Sequence, residues 1–129
     1  MAHPNEDLLR RGYEAFGKGD LDTLRELFSP DITFHSPGRS PIAGDYAGVD
    51  ETFGFFGKLA ELSGGSFRVE VHDILANDEH VVALTTVSGQ RDGKSLDDRS
   101  VEVYHVKDGK ITEAWVHPGD QYAGDEFWS

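Results

Sequence analysis

The stretch HVKDGKITEAW, residues 105–115, sets the architecture of the C-terminal half of the chain. Its Asp108-Gly109 pair lies between two runs of β-branched and aromatic residues, and Asp-Gly is the strongest short-range signal of a β-hairpin. The pair predicts a tight turn over residues 107–110, with strands over residues 98–106 and 111–117 on either side. An antiparallel sheet is therefore expected in this half of the chain.

Two segments upstream of this hairpin also have the pattern of strands. Phe67, Val69 and Val71 alternate with polar residues, and residues 80–87 are rich in β-branched side chains. Residues 91–94, with the sequence Arg-Asp-Gly-Lys, have the composition of a further turn. The second half of the chain thus predicts several antiparallel strands in succession.

The first half of the chain has the period of helices. Residues 4–19 carry apolar side chains near a 3.6 period, which predicts one helix that ends at Gly17-Lys18-Gly19. Asp20 is a good N-cap for a second helix, whose apolar stripe runs to Phe28 and which Ser29-Pro30 ends. These two helices are expected to form a hairpin.

A strand and a third helix complete the predicted elements. Residues 31–35 alternate like a short strand and lead into a loop, rich in proline and glycine, that extends to about Gly48. An apolar helical stripe runs from Val49 to Leu62, and residues 119–129 end in Phe-Trp, which predicts a terminus packed against the body. The order predicts an α+β fold, with helices packed on one face of a curved antiparallel sheet.

Composition limits the classes of partner. With 129 residues the chain fits one domain, over residues 1–129, and its formal net charge of -12 repels nucleic acids and anionic membrane surfaces. The absence of cysteine excludes disulfides and thiolate metal sites, and the six histidines show no metal-ligand spacing. We expect neither a metal nor any other cofactor.

No apolar stretch is long enough to cross a bilayer, and the N-terminal residues lack the cationic and apolar regions of a secretory signal. A cytoplasmic location is therefore expected.

Four segments carry a family resemblance: residues 19–22 (GDLD), 30–38 (PDITFHSPG), 43–48 (AGDYAG) and 108–115 (DGKITEAW). They resemble the SnoaL-like branch of the nuclear-transport-factor-2-like, or ketosteroid-isomerase-like, superfamily. This resemblance implies a cone, in which three N-terminal helices pack on a strongly curved antiparallel sheet around an apolar cavity, and it implies a homodimer formed through the outer sheet face. Such folds include steroid isomerases, polyketide cyclases, epoxide hydrolases and proteins without catalysis, so the fold does not specify the activity.

This chain has counterparts for only some of the functional residues that the resemblance implies. Where steroid isomerases have a general-base Asp before a proline, this chain has Ser36. The carboxylic acid on the oxyanion side of those enzymes aligns loosely with Glu102, and their helix tyrosine lies about one place from Tyr13. The late acid that serves as base in polyketide cyclases has its loose counterpart in Asp120. The paired Arg and Asp of the epoxide hydrolases are absent.

Three residues are candidates for proton transfer. His35 ends the first predicted strand beside Ser36, and an imidazole there has a pKa close to working pH. His117 and Asp120 follow the last strand around Pro118, where a histidine and a carboxylate can act as an acid-base pair. A structural role in a loop and at a solvated strand end is the alternative for these three residues.

Other residues are candidate ligand contacts. Counting back from the hairpin places Tyr104 opposite Glu113, Glu102 opposite Trp115 and Ser100 opposite His117 on one face, with Ala114 and Val116 on the other face. The sequence leaves open which face lines the cavity. The predicted ligand contacts are Tyr13, Phe16, Ser36, Tyr46, Phe56, Glu102 and Trp115.

Two functions follow as hypotheses. The first is a cofactor-independent isomerase, cyclase or hydratase that acts by acid-base chemistry on a small apolar carbonyl compound or a polyketide-like ring. The second is a non-catalytic ligand-binding or assembly module that lacks the isomerase base.

Overall fold

The computed structural model describes residues 3–129. Within that range the elements are α1 (Pro4–Lys18), α2 (Leu21–Leu27), β1 (Phe28–Ser36), β2 (Gly44–Ala47), α3 (Val49–Leu62), β3 (Arg68–Ala76), β4 (His80–Arg91), β5 (Lys94–Lys107), β6 (Lys110–Pro118) and α4 (Gln121–Trp128). None of these helices is long and apolar enough to cross a membrane.

The ends of the first two helices follow from single residues. Pro4 occupies the first helical position of α1, and the helix stops at Gly19, whose φ of 68° is left-handed and favours glycine. Asp20 caps α2 as predicted, because its carboxylate accepts a hydrogen bond from the Thr23 backbone N–H at 3.1 Å. The predicted helical hairpin is confirmed, but its predicted end is wrong, because α2 ends at Leu27 and residues 28–30 already belong to β1.

The six strands form one sheet in the order β2-β1-β6-β5-β4-β3. All neighbouring strands are antiparallel except β1 and β6, which run parallel. Asp108 and Gly109 have φ values of 53° and 74°, the left-handed conformations of a two-residue hairpin turn, so the predicted turn is confirmed.

A β-bulge follows this turn. Val106 pairs with Ile111, whereas the next residue, His105, pairs with Glu113. Thr112 is therefore an extra residue on β6, and its hydroxyl donates to the His105 carbonyl at 3.3 Å. Because side chains alternate between faces along a strand, one extra residue moves every later side chain of β6 to the other face.

The predicted pairing of the last two strands is therefore wrong beyond the turn. Glu102 pairs with Val116, and Trp115 pairs with Val103. The inner face carries Ser100, Glu102, Tyr104, Ala114, Val116 and Pro118, and the outer face carries Val101, Val103, His105, Glu113, Trp115 and His117.

Helices α1, α2 and α3 pack on the inner face, and the core lies between them and the curved sheet. The predicted α+β cone fold is confirmed. The structure adds two elements to the prediction: the loop after β1 contains the short strand β2, and the C-terminal tail forms α4. Of these two elements, α4 lines the cavity, through Gln121, Gly124, Asp125 and Trp128.

The C-terminal helix is firmly attached, as its Phe-Trp ending predicted. Phe127 and Trp128 are 2% and 6% exposed. The Arg91 guanidinium donates to the Phe127 carbonyl, and the Lys94 ammonium donates to the Glu126 carbonyl at 2.9 Å. These contacts anchor α4 at the β4–β5 hairpin.

Replacing the buried aromatic ring of α4 should destabilise the whole fold. We expect Phe127→Ala to lower the free energy of unfolding in urea by about 3 kcal/mol or more, because the substitution removes a fully packed ring and leaves a cavity. Tyr122→Ala, in the same helix but 89% exposed, is the matched control and should leave the midpoint of urea unfolding unchanged. Equal midpoints for the two variants would contradict this account of α4.

Candidate functional site

A cavity of about 170 Å³ lies inside the cone, between the helices and the inner face of the sheet. Its wall is mainly apolar and aromatic: Leu9, Phe16, Phe28, Phe34, Phe55, Phe56, Leu59, Phe67, Val87 and Val116. An apolar protein cavity of roughly 150 Å³ holds a benzene molecule. This cavity therefore suits a one-ring compound or a compact two-ring compound.

A cluster of oxygen-bearing side chains interrupts the apolar wall. Glu102 is only 6% exposed, and its carboxyl accepts a hydrogen bond from the Tyr13 hydroxyl at 3.1 Å. The Thr85 hydroxyl lies 3.1 Å from both carboxyl oxygens of Glu102. The Tyr104 and Tyr13 hydroxyls are 2.6 Å apart. The four side chains form one hydrogen-bonded group, and Tyr13, Glu102 and Tyr104 of this group line the cavity.

Three elements bring this group together. Glu102 and Tyr104 are two residues apart on the inner face of β5, and Thr85 reaches them from β4, where it pairs with Ser100. Tyr13 comes from the middle of α1, and its ring packs edge-on against the Tyr104 ring at 6.2 Å. The polar group thus depends on the docking of α1 against the sheet.

Burial determines the electrostatics of the group. Burial raises the pKa of the Glu102 carboxyl, and this effect outweighs the opposite effect of the hydroxyls of Ser100, Tyr13 and Thr85 around it. Within residues 3–129, no Lys or Arg makes an ion pair with Glu102. Burial also raises the pKa of Tyr13 and of Tyr104, so both phenols stay neutral. Glu102 is the group that can take up and release a proton here.

The cavity has a polar end. The partly exposed residues Ser36 and Ser40 line it from the loop after β1, and Gln121 and Asp125 line it from α4. The Asp125 carboxylate accepts a hydrogen bond from the Arg39 backbone N–H at 2.9 Å, which ties the loop to the helix.

Five of the predicted site residues line the cavity: Tyr13, Phe16, Ser36, Phe56 and Glu102. Tyr46 does not, since its hydroxyl donates to the Ile42 carbonyl at 2.7 Å and its ring stacks on Phe55. Tyr46 covers the core. Trp115 is on the outer sheet face because of the bulge at Thr112.

His35 also lies on the outer face. Its two ring nitrogens are each 2.7 Å from a carboxylate, Nδ1 from Asp45 and Nε2 from Glu113. Its ring stacks on Trp115 with the centroids 5.2 Å apart. His35 thus joins β1, β2 and β6 on the side of the sheet opposite the cavity.

The other two predicted proton-transfer residues lie at the end of β6. His117 is exposed and pairs with Val101 in the sheet. Asp120 caps α4, because its carboxylate accepts a hydrogen bond from the Ala123 backbone N–H at 3.1 Å. The structure does not bring His35, His117 and Asp120 together, and none of the three lines the cavity.

Sequence reasoning missed Ser100 and Tyr104, which line the cavity, and Thr85, which bonds to the Glu102 carboxyl. The alternation Ser100-Glu102-Tyr104 against Val101 and Val103 was visible in the sequence and indicates one polar side of a strand. Nothing in the alternation indicates that this side faces inward. Across residues 3–129, no three His, Asp or Glu side chains converge as metal ligands.

Comparisons with known proteins agree with this fold. A family model described as a SnoaL-like domain matches residues 9–114. An uncharacterized protein of Mycobacterium bovis is 36% identical over 124 residues, which cover 95% of each chain. The structure of Bal32a, from a soil-derived mobile gene cassette, is 38% identical with a TM-score of 0.95, and the match covers 98% of this chain and 97% of Bal32a.

A more distant structural neighbour is IdmH of Streptomyces antibioticus, which is described as a candidate polyketide cyclase. It is 24% identical with a TM-score of 0.75, and the match covers 92% of this chain and 93% of IdmH. At that identity the likeness concerns the fold alone.

The bridge formed by His35 leads to a prediction about pH. Its hydrogen bonds, that to Glu113 above all, raise the pKa of His35 above the ordinary 6.5. The folded chain therefore holds this proton more tightly than the unfolded chain does. The resulting stabilisation is complete below the ordinary pKa and disappears as the pH rises through the raised one.

Titration of the His35 ring by NMR should show this raised pKa. Glu113→Gln should lower it more than Asp45→Asn does, because the bond to Glu113 is the largest cause of the shift. Glu113→Gln should also reduce the change in the free energy of unfolding, measured in urea, as the pH rises from the ordinary to the raised pKa of His35. An unchanged His35 titration in Glu113→Gln would contradict the bridge.

Proposed function

The chain belongs to the SnoaL-like domain family, and from that premise we propose that it binds a small apolar carbonyl compound in its cone and performs cofactor-independent acid-base chemistry on it. The observation that carries this proposal is the Glu102 carboxyl, which is buried in an apolar cavity without a cationic partner in residues 3–129. Isomerisation, cyclisation and hydration of carbonyl compounds all require a group that moves protons.

The surroundings of Glu102 suit it to this role. A catalytic base is most effective when its pKa lies near the working pH, and burial raises the pKa of Glu102 in that direction. While Glu102 is ionised, its bond from Tyr13 uses the one hydroxyl proton of Tyr13, so Tyr104 donates to Tyr13. The two phenols thus orient the carboxylate.

The cavity wall supports a substrate class. The wall is mainly apolar, so the ligand is mainly apolar, and the volume of about 170 Å³ limits it to one ring or two compact rings. The description of IdmH as a candidate polyketide cyclase supports a ring of polyketide type, although that resemblance extends only to the fold. We do not assign a role in proton transfer to His35, His117 or Asp120.

A non-catalytic binding module is the second candidate function. Ser36 lines the cavity at the position where the resemblance to steroid isomerases implies an Asp. A serine without an adjacent base cannot remove a proton from carbon near neutral pH. In this alternative the cavity binds the same kind of ligand and leaves it unchanged.

We also propose that two copies of the chain associate through their outer sheet faces. One row of paired residues crosses this face, Leu75 with Val82, Val82 with Val103 and Val103 with Trp115. These large apolar side chains are exposed or half-buried, and Leu75 is 55% exposed. The expected cytoplasmic location stays a prediction.

Light scattering after size exclusion should give twice the chain mass of 14.2 kDa. Val103→Glu should reduce this mass to that of one chain, because it introduces a charge at the middle of the apolar row. Tyr122→Glu, at an exposed position of α4, is the control and should leave the mass unchanged. A wild-type mass of one chain would contradict the dimer.

The role of Glu102 can be tested before the natural substrate is known. We expect the protein to accelerate hydrogen-deuterium exchange at the α-carbon of 2-indanone, a compact ketone, as followed by NMR in deuterium oxide. Glu102→Gln should slow this exchange about 100-fold or more, because the amide cannot accept the proton. Glu70→Gln, an exposed position on β3, is the matched control and should exchange at the wild-type rate.

The two candidate functions differ in this experiment. Exchange that depends on Glu102 supports the acid-base function. Binding of the ketone, seen as shifts of its NMR signals, with no exchange above the solvent rate would favour the binding module.

A further inference from the structure

Ser100 is the one buried polar side chain in the described part of the chain that lacks a partner. It is 4% exposed, and its hydroxyl makes no hydrogen bond to any of residues 3–129. It also lines the cavity. Buried polar groups are normally hydrogen-bonded because an unmade bond costs stability, so an unpaired hydroxyl on a cavity wall points to a ligand.

The position of Ser100 relative to Glu102 is defined by the sheet. The two residues are neighbours on the inner face of β5, and their Cα atoms are about 7 Å apart along the strand. The Thr85 hydroxyl lies 3.2 Å from the Ser100 carbonyl and 3.1 Å from each Glu102 carboxyl oxygen. The Glu102 carboxyl is therefore turned toward the segment that carries Ser100.

The other hydroxyls of the cluster are already engaged. Tyr13 bonds to Glu102 and to Tyr104, Tyr104 bonds to Tyr13, and Thr85 bonds within the group. Ser100 lies close enough to Glu102 to favour its charged form, but not in hydrogen-bond geometry with it. Ser100 is thus the free hydroxyl beside the proposed base.

We infer that the Ser100 hydroxyl donates a hydrogen bond to the carbonyl oxygen of the ligand whose adjacent carbon gives up its proton to Glu102. This inference rests on the proposed function and adds to it a second catalytic residue. The substrate class it implies is a ketone or ester with a hydrogen on the carbon next to the carbonyl.

The step balances without any further reactant. The bond between the α-carbon and its hydrogen breaks, and the proton goes to a Glu102 carboxylate oxygen. The electron pair forms the carbon-carbon double bond of an enolate, and the carbonyl oxygen takes the negative charge. The Ser100 hydroxyl stabilises that oxygen, as a preorganised donor does best in a site from which water is excluded. Return of the proton to the same carbon completes the exchange of that hydrogen. In a substrate whose α-carbon is bonded to a carbon-carbon double bond, the enolate is conjugated, and return of the proton to the far carbon of that double bond completes an isomerisation.

The donor and the base also have a suitable separation. A carbonyl oxygen and an α-hydrogen are carried by adjacent carbon atoms, so the groups that contact them must lie on one side and a few ångströms apart. Two neighbouring side chains on one face of a strand meet this condition. The carboxyl turned toward Ser100 brings the two groups closer than their Cα atoms.

Ser100→Ala tests the inference by exchange. We expect the rate of α-hydrogen exchange in 2-indanone to fall about 10- to 100-fold, because one donor to the developing oxyanion is lost. The melting temperature should stay the same or rise, since the substitution removes an unpaired buried hydroxyl. Ser100→Thr keeps a hydroxyl and should recover part of the rate. A rate unchanged in Ser100→Ala would overturn the inference.

Binding provides a test that does not need catalysis. We expect 3-methylphenol, whose oxygen resembles that of an enolate, to bind Ser100→Ala about tenfold more weakly than it binds the wild type, as the loss of one hydrogen bond implies. Toluene lacks the oxygen and should bind both proteins equally.

The two tests separate the inference from the proposed function. If Glu102→Gln abolishes exchange and Ser100→Ala changes neither exchange nor phenol binding, the acid-base function stands and the inference about Ser100 is wrong. If the wild type catalyses no exchange, the acid-base function fails. In that case a loss of phenol binding alone in Ser100→Ala supports Ser100 as the ligand's hydrogen-bond donor, and equal phenol binding overturns it.

Discussion

The burial of the Glu102 carboxyl without a balancing cation is the constraint on which the interior of this cone depends. A buried carboxyl must be hydrogen-bonded or must hold its proton, because transfer of its charge from water into an apolar interior is very costly. Tyr13 on α1 and Thr85 on β4 supply these bonds. The contact between Tyr13 and Glu102 also attaches the first helix to the sheet, so the same hydrogen bonds that satisfy the carboxyl stabilise the packing of α1.

The fold was predictable where local chemistry decides the conformation. The Asp108-Gly109 turn, the Asp20 cap and the helical periods each act within a few residues, and each is confirmed. The β5–β6 register was not predictable, because the alternation of side chains does not show that Thr112 is an extra residue. The parallel pairing of β1 with β6 also joins segments far apart in the sequence, where no local signal operates.

The site residues were also predictable only in part. The resemblance pointed to Tyr13 and Glu102, and the structure brings them within 3.1 Å. His35 is a candidate for proton transfer by sequence because imidazole is a versatile acid and base, but that property does not determine the face of a strand on which a residue lies. On the outer face the two carboxylates around His35 make it a bridge between strands. Which face a residue occupies is a long-range property of the sheet, and it decided the role of His35.

Ionisable side chains are paired on the outer face of β5 and β6 but not on their inner face, and this difference has a physical reason. On the outer face the His35 ring is held by Asp45 and Glu113 at 2.7 Å, so the charges neutralise one another near water. On the inner face Glu102 lacks a cationic partner in residues 3–129, and Ser100 has no hydrogen bond there. Both inner features reduce stability, and a core selected for packing alone would replace them with apolar side chains. Their retention is understandable if a ligand completes the hydrogen bonds that the protein leaves unmade, since only unsatisfied groups can distinguish an oxygen-bearing ligand from a hydrocarbon of the same shape.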